Sequence, residues 1–254
     1  MRQANSVLKS RSDMSEQINR NSSICQGIVY GVGVGPGDPE LMTLKAVRII
    51  READIIAVPG KKAEDSLAYR IAAGAVPEIS GKTVIGLEMP MTKDAKALAE
   101  AHEKGARVLE EYLKTGKTAA FLTLGDPTVY STFAYLVPFL ETDGFTVKYI
   151  SGVTSFCAAA AKLNVPLCTE GEKLAVIPGL YDTDTDFSLP GTCVLMKSGR
   201  QIKELREKLK GCGKDIMAVQ NCGLEGEQTY CGLEEIPENA GYFLVVLARE
   251  KGKD

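Results

Sequence analysis

The sequence predicts an α/β protein built from two α/β domains, a parallel-rich N-terminal sheet and a mixed C-terminal sheet, with the active site in the cleft between them. Three observations lead there. From Gly27 onward, short apolar strands alternate with stretches of helix length, the pattern of a parallel sheet covered by helices. In the second half strands outnumber helices, so that sheet is mixed and partly antiparallel. A hydrophilic break, Glu141-Thr-Asp-Gly144, separates the halves, and 254 residues suffice for two cores of roughly 100 to 150 residues each. The expected boundaries are a polar tail at 1–24, which lacks periodicity, an N-terminal domain at 25–143 and a C-terminal domain at 144–254.

Each element has its own signature. Residues 28–34 form an apolar strand, and 41–52 a helix with Leu41, Leu44, Ala46 and Val47 on its buried side. A strand at 54–58 precedes a helix near 66–75, and 82–87 is the third strand. The spacing of Leu98, Ala101, Val108, Leu109, Tyr112 and Leu113 predicts a long amphipathic helix over 92–114. Its charge-rich face carries His102, expected to point to solvent. The strand at 118–124 runs into Gly125-Asp-Pro127 and a further helix. The second half opens with a strand at 146–150 and an alanine-rich helix at 156–163. Strands at 174–177, 192–196, 216–220, 228–231 and 242–247 follow, with one helix at 201–210.

The stretch Gly31-Val-Gly-Val-Gly-Pro-Gly-Asp-Pro-Glu leaves the first strand. It looks like a dinucleotide loop and fails the test. Gly-x-Gly-x-x-Gly needs a third glycine so that backbone can approach a pyrophosphate. That position holds Pro36 when counted from Gly31, and Asp38 when counted from Gly33. Asp38 stands where an N-cap belongs with Pro39 at the first helical position, and its carboxylate would repel phosphate. No acidic residue ends the second strand to meet a ribose; Pro59 and Gly60 stand there. NAD and ATP are therefore rejected.

Composition narrows the classes further. Hydrophobic content of 44% and charged content of 25% are those of a globular protein. A net charge of −3 and a pI near 5.5 give no electrostatic reason to expect nucleic acid or an anionic membrane as partner. The last apolar run, 242–248, is seven residues long, far below the ~20 needed to span a bilayer. The first segment carries charge without an apolar stretch, so no signal peptide is expected and a cytoplasmic protein is. The seven cysteines are odd in number and contain no Cys-x-x-Cys, which reads as reduced thiols. With His102 as the only histidine, zinc is not expected.

Open α/β sheets bind ligands at the carboxyl edge of their strands. Four loops fall there: 35–39, 59–62, 124–132 and 151–155. Either Gly-Asp-Pro alone reads as a capped strand-to-helix turn. Two copies in one domain, followed by Ser151-Gly-Val-Thr-Ser155, shift the balance towards a site.

On these motifs the chain resembles the tetrapyrrole methyltransferases, which use S-adenosylmethionine. The marks are Gly-Val-Gly-Pro-Gly-Asp-Pro-Glu-Leu-Met-Thr-Leu-Lys-Ala, Gly-Asp-Pro-Thr-Val-Tyr-Ser-Thr and Ser-Gly-Val-Thr-Ser-Phe-Cys-Ala-Ala-Ala, and the likeness runs from about Gly27 to Arg249. With Ala57-Val-Pro-Gly60, they are most similar to the branch that methylates C20 of precorrin-2 or cobalt-factor II in cobalamin biosynthesis. The resemblance implies a methyltransferase with S-adenosylmethionine as cofactor, a small-molecule tetrapyrrole substrate and a homodimer. It implies donor contacts from Pro36, Leu124, Gly125, Asp126, Val129, Thr154, Ser155, Met196 and Cys222, the last where the family often has glycine. Pro59, Gly60, Lys61, Tyr130 and Ser131 are assigned to the substrate. Some relatives carry a proposed aspartate base where this chain has Pro59, and Asp54, five residues earlier, does not replace it.

No catalytic residue is assigned. Methyl transfer is an in-line displacement at a sulfonium, and an electron-rich bridging carbon attacks without prior deprotonation, so alignment and desolvation suffice. The substrate's rim carboxylates would be met by bases at the cleft mouth, for which Lys61, Lys62, Arg70, Lys197 and Arg200 are placed. Two alternatives stay open: a sibling acting at another ring carbon or on a ribosomal nucleoside or diphthine, and a donor-binding module without transfer.

Overall fold

The computed structural model describes residues 27–63, 65–90, 92, 94–178 and 186–251; the expected tail at 1–24 and Cys25 lie outside them. The first sheet comprises β1 (Ile28–Gly33), β2 (Ile55–Pro59), β3 (Thr83–Leu87), β4 (Ala119–Thr123) and β5 (Thr146–Ile150), in the order β3-β2-β4-β1-β5 with all pairs parallel. Its connecting helices are α1 (Leu44–Glu52), α2 (Leu67–Ala75), α3 (Ala95–Leu113) and α4 (Val137–Thr142). β4 is buried along its whole length, as a parallel strand covered on both faces must be. Ile49, Ile50, Ile71 and Ile79 pack on one face with Val32, Ile56 and Leu122. Leu109, Leu113, Phe133 and Leu140 pack on the other with Val29, Ile55 and Phe121.

The second sheet comprises β6 (Leu174–Pro178), β7 (Thr192–Met196), β8 (Asp215–Gln220), β9 (Gln228–Tyr230) and β10 (Leu244–Arg249), with α5 (Ser155–Lys162) and α6 (Ile202–Gly211) beside it. Its order is β6-β7-β10-β8-β9. Only the β6–β7 pair is parallel, so the sheet is mixed as expected. α6 closes its outer face through Ile202, Leu205 and Leu209. Its inner face, Val194, Met196, Val219, Val245 and Leu247, packs on the alanines of α5 and takes Leu41, Val129 and Val153 from the first sheet's loops.

The structure differs from the sequence expectation at four places. The strand at 146–150 does not open the second sheet but pairs with β1 as the first sheet's edge. Gly144, at φ 83°, closes a tight turn there, and alternation alone cannot tell which sheet an edge strand joins. The helix after Gly125-Asp-Pro127 does not begin at that loop: a 3-10 turn, Thr132–Tyr135, intervenes and α4 starts only at Val137. Asp38 caps only the 3-10 turn Pro39–Leu41, whereas α1 begins three residues later with Thr43 accepting from the Ala46 amide. That shift turns Leu44 outward, 89% exposed. His102 is not free in solvent: its ring stacks on Tyr135, centroids 4.8 Å apart, and the partial burial lowers its pKa.

Candidate active site in the cleft

The strand order creates a crevice at one place. After β1 the chain moves past β4 to β2, and after β4 it moves past β1 to β5, so the loops leaving these neighbours diverge to opposite faces. Ligands of open α/β sheets bind at such a switch point. Here the two loops are stitched by a bridge between Gly35 and Gly125: Gly125 N donates to Gly35 O at 2.8 Å, and Gly35 N to Gly125 O at 3.3 Å. Gly125 sits at φ 68°, the left-handed region that glycine enters freely. A Cβ there would face Val153 O, Thr154 Cα and Ser155 N, all 3.9 Å away. The loop after β5 and the N-terminus of α5 thus look directly onto Gly125.

Asp126 holds this arrangement. It is buried, and its Oδ1 accepts from Thr128 N at 2.8 Å and Thr128 Oγ1 at 2.5 Å, while its Oδ2 accepts from Gly152 N at 3.0 Å. One carboxylate thereby joins the loops after β4 and β5. Thr43 joins the loops after β1 and β5, its hydroxyl donating to Ser151 O at 3.2 Å.

The second sheet closes the crevice. Gly37 lies backbone to backbone on Cys222 and Gly223, so tightly that a Cβ would overlap them. Glu227 fixes that loop by accepting from Gly223 N at 2.7 Å and ties it to α5 through an ion pair with Lys162. The Lys162 hydrogen bond holds the Glu227 carboxyl below its ordinary pKa. Met196, Cys222 and Val129 meet in one apolar cluster with Val153 and Phe156. Burial, reinforced by Glu227, pushes the Cys222 thiol up to about 11, so it is a neutral packing group and not a nucleophile at physiological pH. Beside the cluster lies a cavity of about 390 Å³ lined by Thr128, Val129, Tyr130, Phe156 and Val176.

Tyr130 spans the crevice. Its φ of 48° is left-handed, a strained state for a tyrosine, and its hydroxyl donates to Val176 O of β6 at 3.1 Å. One unused group stands out: Thr154 Oγ1, at the N-cap of α5, is buried and has no hydrogen-bond partner among the described residues. A buried hydroxyl left unpaired costs about 1–3 kcal/mol, and here it lies next to Gly125.

The structure brings Gly125, Asp126, Val129, Thr154, Ser155, Met196, Cys222 and Tyr130 to this crevice or its walls. Pro36 adjoins the Gly35–Gly125 bridge, and Leu124, on the other side of that bridge, packs its side chain against the first sheet's core. Ser131 is different: its buried hydroxyl meets Thr123 Oγ1 at 3.0 Å and accepts from Phe133 N at 3.1 Å, which shapes the loop. Pro59 and Gly60 end β2 at the same sheet edge, with Gly60 N bonded to Leu87 O at 2.8 Å. Lys61 turns towards β3 and pairs with Glu88 at 3.1 Å, both exposed. Asp54 accepts from Thr118 N and Thr118 Oγ1, each at 2.8 Å, as a strand-start bracket. Among the described residues no group of three or more His, Cys, Asp or Glu is placed to hold a metal ion, and no helix is long and apolar enough to cross a membrane.

Comparison with known proteins gives a consistent result. The family model for tetrapyrrole (corrin/porphyrin) methylases matches residues 28–237. A probable cobalt-precorrin-2 C(20)-methyltransferase of Methanocaldococcus jannaschii is 41% identical over 182 residues, 71% of this chain and 75% of that one. A precorrin-2 C(20)-methyltransferase of Sinorhizobium is 28% identical over 240 residues, 89% of this chain and 96% of that one. The crystal structure of uroporphyrin-III C-methyltransferase from Thermus thermophilus complexed with S-adenosylhomocysteine superposes with a TM-score of 0.63 at 25% identity, covering 87% of this chain and 97% of that one.

Proposed function

The chain belongs to the tetrapyrrole (corrin/porphyrin) methylase family, and from that premise we propose that it methylates C20 of cobalt-factor II or precorrin-2 in cobalamin biosynthesis. The observation that carries this reading is the 41% identity, over 182 residues, to a relative named for C20 methylation of cobalt-precorrin-2. The methyl donor is S-adenosylmethionine, which supplies a methyl group on a positively charged sulphur and departs as a neutral thioether.

The residues present fit that donor. Thr154 Oγ1 is a buried hydroxyl that no described residue satisfies, set at the N-cap of α5 on the crevice. Gly125 presents a bare backbone to Val153–Ser155, and Met196, Val129 and Cys222 supply an apolar wall. Pro36 and Leu124 flank the bridge between the loops, and Ser155 N opens α5. The chain's part in the reaction is to bind, orient and exclude water; proximity and desolvation carry the step. The C20–methyl bond forms as the sulphur–methyl bond breaks, the thioether leaves neutral, and the proton displaced from C20 passes to solvent without an assigned side-chain base. Tyr130 closes the outer side, where the macrocycle enters, with Pro59, Gly60 and Lys61 further along the same edge. We place the enzyme in the cytoplasm and take it to be a homodimer, which light scattering checks.

Thr154→Val tests the donor assignment. It replaces a hydroxyl by a methyl of like shape, so stability should hold or rise slightly. The dissociation constant for S-adenosylhomocysteine should rise about 5- to 20-fold in calorimetry, the worth of a buried hydrogen bond. An unchanged constant would move the donor away from α5. Cobalt is part of the substrate in this scheme. A relative named for the cobalt form is 41% identical, which favours the metallated macrocycle, although a second such relative, at 29%, is level with the 28% of the one named for precorrin-2. Turnover on cobalt-factor II and on precorrin-2, compared under anaerobic conditions, should be faster on the first. Turnover on neither would remove the C20 reading.

A further inference from the structure

Lys197 follows β7 at the rim of the crevice, in the left-handed region at φ 58°. A non-glycine residue held there costs about 1–3 kcal/mol and persists only where its surroundings over-determine it. Its Nζ reaches across to the first sheet's loop and donates to Tyr130 O at 3.2 Å. Tyr130 is itself left-handed and bonded through its hydroxyl to Val176 on the adjacent strand β6. Two strained residues from opposite sheets thus hold each other over the cavity lined by Thr128, Val129, Tyr130, Phe156 and Val176.

Among the described residues the charge of Lys197 is uncompensated. Among the described residues it meets a carbonyl and no carboxylate within ion-pair distance, and burial alone lowers its pKa. Arg206 and Lys214, also drawn into the second sheet's packing, each face a carboxylate, on Glu234 and Glu250. Among the described residues no acidic residue lines the cavity. A half-buried ammonium without a counter-anion among the described residues, bonded to the backbone of a residue that lines the cavity, is a waiting partner for an anion.

Resting on the tetrapyrrole reading above, we propose that Lys197 is a specificity-determining residue that receives a peripheral carboxylate of the macrocycle, held ready by the Tyr130 carbonyl. The carboxylate displaces or shares that carbonyl's hydrogen bond and restores full charge pairing to the amine. Lys61 and Lys62, by contrast, lie on the exposed loop after β2.

The test is Lys197→Met, with Lys197→Gln as the second variant should the first prove insoluble, and Lys197→Arg as the conservative one. On the macrocycle that the wild type methylates, KM should rise about 10- to 100-fold in the Met or Gln variant, the worth of one charge-assisted bond. kcat should stay within about twofold, and affinity for S-adenosylhomocysteine should be unchanged. The arginine variant should recover most of the loss, and KM should depend less steeply on salt in the Met variant than in the wild type. An unchanged KM in both uncharged variants, or a loss confined to kcat or to donor affinity, would overturn the proposal while leaving the tetrapyrrole reading intact. Failure of the wild type to bind or methylate any tetrapyrrole would instead sink the reading itself.

Discussion

Gly125→Arg should abolish donor binding, raising the dissociation constant for S-adenosylhomocysteine at least 100-fold, while the protein remains folded. The backbone at Gly125 is left-handed, φ 68°, so any side chain there costs about 1–2 kcal/mol. The β-carbon itself fits, since its nearest neighbours, at Val153, Thr154 and Ser155, are 3.9 Å away. Everything beyond that carbon must enter the space between the loop after β4 and the start of α5, where the donor is placed. Gly125→Ala separates the two effects. It carries the backbone cost without filling the space, and should bind within about tenfold of the wild type. Calorimetry on both variants, with thermal unfolding as the control for folding, makes the comparison. Undiminished affinity in the arginine variant would refute the placement of this loop.

Asp126→Ala should produce the largest loss of stability among the crevice residues. Its carboxylate accepts from Thr128 N, Thr128 Oγ1 and Gly152 N, and truncation strands these donors in a site where Asp126 is only 8% exposed. The loss should be about 3 kcal/mol, or roughly 6–12 °C in the unfolding midpoint of a chain this size. Donor affinity should fall with it, because the loops after β4 and β5 are no longer joined. Asp126→Asn should rescue only part: an amide accepts on one side but presents N–H groups to Gly152 N on the other. Unfolding midpoints within about 2 °C of the wild type in the alanine variant would contradict the bracket.

Much of the fold was legible because burial leaves a local record. The all-apolar run at 119–123 and the spacing of Leu109 and Leu113 in α3 follow from which face is covered, and Ser66 marks the start of α2 by capping Tyr69 N. What local pattern cannot carry is the partner. The strand at 146–150 looks the same whether it pairs with β1 or with β6, and Leu44 reads as buried until Thr43 is known to be the cap. The candidate site divides along the same line. Glycine, proline and aspartate at strand ends announce where ligand loops lie, which brought loops 35–39, 124–132 and 151–155 forward. The use of each side chain depends on groups far along the chain: Asp126 on Gly152, Tyr130 on Val176, Lys197 on Tyr130. The left-handed backbone at Tyr130 and Lys197 has no signature in residue type, since tyrosine and lysine rarely adopt it.

The central claim is that this crevice delivers a methyl group to one defined ring carbon. The most direct measurement is to run the enzyme with an isotope-labelled methyl donor and cobalt-factor II, and to locate the label by nuclear magnetic resonance. One methyl per macrocycle is expected, at C20, with S-adenosylhomocysteine formed in equal amount. Label at another carbon, or donor bound tightly with no label transferred to any tetrapyrrole, would contradict it.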